Sequence, residues 1–174
     1  MYWFTSDEHY HHTRILTYCK RPFACMEEMD EALISNHNAL VGKNDITIHA
    51  GDFAFAKKEE VQRIIKRLNG NHIFLKGSHD RWLGDSGKFM WRDTIEGQFI
   101  VVCHYAMRTW ERAHYNSWQL YGHSHGTLKP IGKQMDIGVD TNNFKPYSFA
   151  QIKEILDNQP NFMDLRYAKN TPSY

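Results

Sequence analysis

The chain has 174 residues, 41% hydrophobic and 24% charged, with 21 basic and 20 acidic side chains and a net charge of +1. That length predicts one domain over residues 1–174, and the composition excludes disorder and collagen-like repeats; no apolar run approaches the ~18 residues a membrane span needs. The even charge balance predicts no bulk electrostatic capture of nucleic acid or anionic membrane, so any phosphate recognition has to be local.

Cys19, Cys25 and Cys103 are an odd number without zinc-finger spacing. They argue against a disulfide framework or a Cys-based zinc, and for a reducing cytoplasm. The N-terminus reaches Asp7 and His9 too early for a signal peptide, which again predicts a cytoplasmic protein. The unusual count is histidine, with 11 in the chain.

In chain order, Tyr2 to Thr5 is an aromatic-rich run that reads as a buried first strand. Met26, Met29, Leu33 and Leu40 give a helical stripe over about 26–41, ended by Gly42. Ile46 to Ala50 reads as a second strand running into Gly51-Asp52. Val61, Ile64, Ile65 and Leu68 form an amphipathic helix closed by Asn69-Gly70, and His72 to Lys76 reads as a third strand. This β-α-β-α-β order predicts a parallel sheet. In the second half, Phe99 to Cys103, Gln119 to Tyr121 and Met135 to Val139 are short strands joined by loops. Phe149, Ile152, Ile155 and Leu156 suit a last helix with Ser148 as its N-cap, and an irregular tail follows from about residue 160. The expected fold is α/β: a four-layer α-β-β-α sandwich of two packed mixed sheets flanked by helices.

Acids and histidines fall at strand ends. Asp7 and His9 follow the first strand, Asp52 the second, and Ser78, His79 and Asp80 the third. His104 follows the strand ending at Cys103, and His123 and His125 sit between Gly122 and Gly126. Carboxyl ends of parallel strands share one edge, where ligands bind. Two aspartates and four histidines without cysteine suit Mn, Fe, Zn or Ni, and exceed the ~3 protein ligands of one catalytic zinc. They are enough for two divalent ions ~3.5–4 Å apart.

Asp7-x-His9, Gly51-Asp52, Gly77-Ser78-His79-Asp80, His104 and Gly122-His123-Ser124-His125 resemble the calcineurin-like metallophosphoesterase superfamily. Its pattern is DxH, GD, GNHD, H and GHxH in that order. The resemblance runs over residues 6–126 and continues through Gly138-Val139-Asp140 and Pro146-Tyr147-Ser148. Each element alone is common; five in order, each at a strand end, are specific. The flanking residues through His12 and Arg108 are similar to a small bacterial or phage branch.

The resemblance implies two divalent metal ions, with Asp7, His9 and His125 on one, His104 and His123 on the other, and Asp52 bridging. It places His79 beside the leaving-group oxygen, with Asp80 orienting its ring. Ser78 stands where the family has a metal-ligating Asn; natural variation, a weakened second site and an engineered change all remain open. The implied activity is phosphodiester hydrolysis by a hydroxide bridging the two metals, with His79 assisting the leaving group. The implied partner is a small phosphate ester, nucleotide-like substrates included. The alternatives are a phosphomonoesterase or phosphoprotein phosphatase, and a catalytically weakened binding scaffold of the same fold.

Candidate substrate-binding residues are His12, Arg81 and Arg108, each with a plain alternative. His12 either faces the site or caps a helix starting near Thr13, and Arg81 either reaches phosphate or pairs with a surface acid. Residues 105–118, which include Arg108, either stack a base and grip phosphate or plug the gap between the two sheets. His49 reads as an interior or edge residue, and His11, His37, His72 and His114 as structural residues without constellation partners. Asp136 and Asp140 read as turn residues or supports behind the ligands.

Overall fold

The computed structural model describes residues 1–161. The irregular tail expected from about 160 therefore lies, beyond 161, outside the described residues. Strands β1 (Tyr2–Thr5), β2 (Ile46–His49) and β3 (Asn71–Phe74) pair in parallel, as the β-α-β-α-β order predicts. A short β8 (Tyr147–Ser148) joins the other edge of β1 antiparallel, giving the order β3-β2-β1-β8. The second sheet has the order β4-β5-β6-β7, from Met90–Ile95, Gln98–Cys103, Trp118–Tyr121 and Gln134–Asp136. Its first pair is antiparallel and the other two are parallel. The fold is thus α/β, two mixed four-stranded sheets flanked by helices.

Alternation along the strands builds the core. Phe4, Ile48, Ala50 and Leu75 of the first sheet meet Ile100, Val102, Trp118, Leu120 and Met135 of the second. Burying each large apolar side chain here contributes roughly 1.5–3 kcal/mol. Residues on the opposite face of the first sheet pack under α1 (Ile15–Tyr18), α2 (Met26–Leu40) and α3 (Lys58–Ile65), with Met29, Leu33, Val61 and Ile64 pointing inward. On α2 the buried stripe is Met29, Leu33, Ile34 and His37, whereas Leu40, expected inside, is exposed at the helix end. The last helix, α4 (Phe149–Asp157), drives Phe149, Ile152 and Leu156 into the core between the sheets. Ser148 caps it: its Oγ accepts from the Gln151 N–H at 3.2 Å, and the Gln151 side chain returns to the Ser148 N–H at 2.9 Å.

On the outer face of the second sheet, Phe99 and Val101 are covered by Met107, Trp110 and Ala113. Trp110 and Ala113 are buried on this outer face, not between the sheets, while Tyr115 is exposed. Strand β4 has no counterpart in the sequence reading. It is an edge strand carrying Arg92, Asp93 and Thr94, with only Ile95 buried, so it lacks an apolar alternation. A two-residue turn, Glu96-Gly97, joins it to β5 with positive φ at both positions, 49° and 82°. Strand β7 stops at Asp136 instead of Val139, and a 3-10 turn over Val139–Thr141 follows.

Among the described residues, no helix is long and apolar enough to cross a membrane. Cys19, Cys25 and Cys103 are free thiols.

Candidate metal centre

Five strands deliver polar residues to one edge shared by both sheets. Asp7 and His9 follow β1, Asp52 follows β2, the stretch 77–80 follows β3, His104 follows β5, and His123 and His125 follow β6. Asp7, His9, Asp52, His123 and His125 all hold positive φ, between 47° and 67°. Such backbone costs on the order of 1–3 kcal/mol per non-glycine residue and persists only where its surroundings fix it.

The side chains gather into two neighbouring triads, Asp7-His9-His125 and Asp52-His104-His123, with potential ligand atoms within 4.8 Å of one another in each. His9 joins them: its Nε2 lies 4.0 Å from Asp7 Oδ1 and 3.8 Å from Asp52 Oδ2. His104 Nε2 lies 3.3 Å from Asp52 Oδ2, while its Nδ1 faces the Ala50 carbonyl at 3.1 Å. The Nε2 atoms of His9 and His104 are buried without a hydrogen-bond partner. A buried polar atom left so costs ~1–3 kcal/mol, and a coordinated cation would satisfy both.

The charge state points the same way. Burial pushes the Asp7 carboxyl up to about 7 and drives the His9 ring down to about 2. Burial acts against the Asp52 carboxylate too, yet His104 and the His79 N–H hold it below the ordinary carboxylate range. Against the effect of burial, the Asp140 contact raises His125 to about 10 and the Asp52 contact raises His104, so protons held on these rings would be released to a bound cation, and the N/O set suits Mn, Fe, Zn or Ni. The residues present fit one or two divalent ions.

A second set of contacts holds these groups. The Asp7 carboxylate accepts the His123 N–H at 2.9 Å, and Asp52 Oδ1 accepts the His79 N–H at 2.8 Å. A Cβ on Gly122 would stand 2.0 Å from Ser6 Oγ and 2.4 Å from Asp7 Oδ2, so only glycine lets the His123 turn approach Asp7. The buried Arg21 guanidinium grips Asp140 through Nε at 2.8 Å and Nη2 at 2.7 Å. It also donates to the carbonyls of Asp7, at 2.6 Å, and Glu8, at 2.8 Å. Asp140 Oδ2 in turn meets His125 Nδ1 at 2.7 Å, leaving His125 Nε2 to face Asp7 at 4.0 Å. Asp136 braces the same turn by accepting from Ser124 Oγ and the Gly126 N–H.

The expected contact of Asp80 with the His79 ring is not found. The fully buried Asp80 carboxylate accepts instead from the N–H groups of Asp52, Phe53 and Gly77 and from Trp82 Nε1, at 2.6–3.0 Å. Asp80 therefore fixes the turns after β2 and β3 rather than the His79 ring. Ser78 Oγ donates to the Asp52 carboxylate, at 3.1 Å to Oδ2.

A cavity of about 1180 Å³ opens over both triads, lined among others by His9, His12, Asp52, Phe55, His79, His123 and His125. The His12 ring faces it, 3.1 Å from His9 Nδ1 and stacked on Phe55 at 4.9 Å, so of its two readings the site-facing one describes its position. The His79 ring meets His12 and Phe55 at 5.2 and 5.4 Å. Arg81 lines a smaller adjoining cavity, whereas exposed Arg108 lines neither. Arg108 belongs to the segment covering the outer face of the second sheet, and Trp110 packs there on Val101 rather than in the expected gap between the sheets. Arg21 and Phe55 carry no signal in the sequence: a lone arginine after a short helix and a lone phenylalanine after a strand form no pattern.

The fold class is that of an α/β two-sheet sandwich carrying a candidate metal centre at its shared strand edge. No protein-family model matches the chain. An uncharacterized protein of Methanocaldococcus jannaschii, MJ1445, is 28% identical over 161 residues, covering 87% of this chain and 89% of that protein. AQ665, a protein of unknown function from Aquifex aeolicus, has a crystal structure matching 89% of this chain and 98% of its own, with a TM-score of 0.69 at 22% identity. That likeness establishes the fold alone. A conserved uncharacterized protein of Streptococcus pneumoniae TIGR4, described as a predicted phosphoesterase, gives a TM-score of 0.45 at 16% identity, over 79% of this chain and 70% of its own. A Vps29 single mutant from Entamoeba histolytica gives 0.46 at 18% identity, over 91% of this chain and 80% of its own. Likenesses at 0.45 and 0.46 define neither fold nor activity.

Proposed function

We propose that the protein is a cytoplasmic, metal-dependent phosphodiesterase of calcineurin-like type acting on a small, nucleotide-like ester. The observation that carries this reading is the pair of adjoining triads, Asp7-His9-His125 and Asp52-His104-His123, at the base of one open cavity. Each triad would hold one divalent ion, with Asp52 between them. Ions bound there would neutralise phosphoryl oxygens and make water acidic enough to attack phosphorus near neutral pH.

The chain's own residues supply the rest. Arg21 and Asp140 fix the His125 ring so that Nε2 faces the first site. Ser78 acts on the second site through its hydrogen bond to Asp52 rather than as a ligand itself. His79 stands at the cavity wall, its Nε2 4.0 Å from Asp52 Oδ2. As the bond from phosphorus to the ester oxygen breaks, His79 gives a proton to that departing oxygen. His12 and Phe55, stacked on one another, form the flank against which the ester lies.

The test uses the Mn²⁺-loaded protein with bis(p-nitrophenyl) phosphate and p-nitrophenyl phosphate. Faster turnover of the diester is expected, and a monoester preference would replace this reading with a phosphomonoesterase. Less than one tightly held ion per chain, with no hydrolysis under excess Mn²⁺, identifies a binding scaffold instead. His79→Ala is expected to lower kcat on the order of 10²–10⁴-fold with metal content unchanged. Loss of an ion on that substitution makes His79 a ligand and removes its role as acid.

A further inference from the structure

A second cavity of about 750 Å³ adjoins the first, and Phe55 and His79 line both. The imidazole that faces the metal centre on one side is therefore a wall of this second space on the other. The second cavity carries Lys57, Lys58 and Arg81, all exposed, and none of the three forms an ion pair among the described residues. Its acid, Glu60, is already engaged, accepting the Lys57 N–H at 3.1 Å in the cap of α3. Three uncommitted cations around one cavity contrast with a chain whose net charge is +1.

Aromatic faces complete the lining. Phe55 is half exposed at 50%. The Trp82 indole is held in place by its N–H, donated to Asp80 at 3.0 Å. Such rings accept a planar group by stacking, and lysines and an arginine accept an anion beside it.

In-line displacement puts the attacking and leaving oxygens on opposite sides of phosphorus. If the metal centre supplies the attack, the leaving oxygen lies toward His79, and the remainder of the leaving group extends past it. We propose that the second cavity is a subsite for the leaving group, and that it takes a leaving group carrying both a planar ring and a phosphate of its own. The substrate class is a phosphodiester whose leaving alcohol is a nucleoside phosphate. This rests on the diesterase reading above.

The test compares thymidylyl-thymidine with its form phosphorylated at both ends, on the Mn²⁺-loaded protein at low ionic strength, where exposed charges are least screened. The phosphorylated form is expected to show a kcat/KM on the order of tenfold higher, and the ratio is expected to fall towards one in Lys57→Glu/Lys58→Glu. Acids in the first turn of α3 suit the helix dipole, so the double variant is compatible with the fold. A ratio near one in the parent protein, or a high ratio that the variant retains, overturns the subsite and leaves the diesterase reading standing. Equilibrium binding of thymidine 3′,5′-bisphosphate, followed by tryptophan fluorescence, is read independently of turnover. Binding that the variant weakens about tenfold supports the subsite even if no diester is hydrolysed, in which case the diesterase reading alone falls. Absence of binding overturns the subsite.

Discussion

Arg21 joins three parts of the chain through one guanidinium: the carbonyls of Asp7 and Glu8, and the carboxylate of Asp140. The first contacts brace a loop whose Asp7 and His9 both hold positive φ, and the last carries on to the His125 ring. Groups that orient a metal-ligating histidine typically change metal affinity by ~10–100-fold when altered. Asp140→Asn keeps the shape and an acceptor while removing the charge opposite Arg21. Its Mn²⁺ affinity is expected to fall by that ~10–100-fold factor, measured by equilibrium dialysis alongside the melting temperature. Unchanged Mn²⁺ affinity with a lowered melting temperature would reduce the Arg21-Asp140-His125 chain to a structural tie.

At the scale of elements, the centre depends on how closely two turns meet: the one after β1 and the one after β6. Gly122 is the point of contact, with a Cβ there only 2.0 Å from Ser6 Oγ. Gly122→Ala is expected to destabilise by about 1–3 kcal/mol, as overpacking does, and to release metal because Asp7 must move. Gly97→Ala, in the turn between β4 and β5, is the control: nothing lies within 4 Å of its Cβ, and only the positive φ is penalised. Thermal melts with metal analysis separate the two; retained metal in Gly122→Ala would mean that the turns have slack.

The strands whose ends carry Asp7, Asp52, His79 and His104 were legible because buried parallel strands are short apolar runs and the motif residues follow them directly. The sheet partner β4 was not, because an edge strand of Arg92, Asp93 and Thr94 shows no period. The ligand candidates were likewise legible from order and spacing. Arg21, Phe55 and the true partners of Asp80 were not, since each acts through contacts between residues far apart in sequence. Asp80 in particular stands beside His79 in the chain, and adjacency suggested a contact that its backbone donors pre-empt.

For the molecule as a whole, the histidine surplus divides between the two faces of the first sheet's environment. Seven rings, His11 among them, line the cavity or lie beneath it, and three more, His37, His49 and His72, lie together under the helices. Read from the sequence, His37 and His72 had no partners; in the structure they have each other and His49. His49 sits 2.6 Å from Glu8 through Nδ1 and 3.0 Å from His72 through Nε2, while His37 Nε2 meets the Asn69 carbonyl at 2.9 Å. Burial lowers His37 to about 4 and His49 and His72 to about 3, against an ordinary value of 6.5. These groups are neutral in the folded chain and charge on unfolding in acid, so the stability they contribute is present above pH 6.5 and lost as pH falls towards 4 and 3. Burial moves Glu8 the other way, up to about 8, so its contribution is present in acid and lost as pH rises through 8. His72→Gln isolates one term, because the amide keeps a donor for His49 Nε2 but does not titrate. The melting temperature of His72→Gln relative to the parent is expected to stay constant above pH 6.5 and to rise steadily below it, at fixed metal concentration. Parallel curves from pH 7.5 to 4.5 would show that His72 does not drive the acid limb.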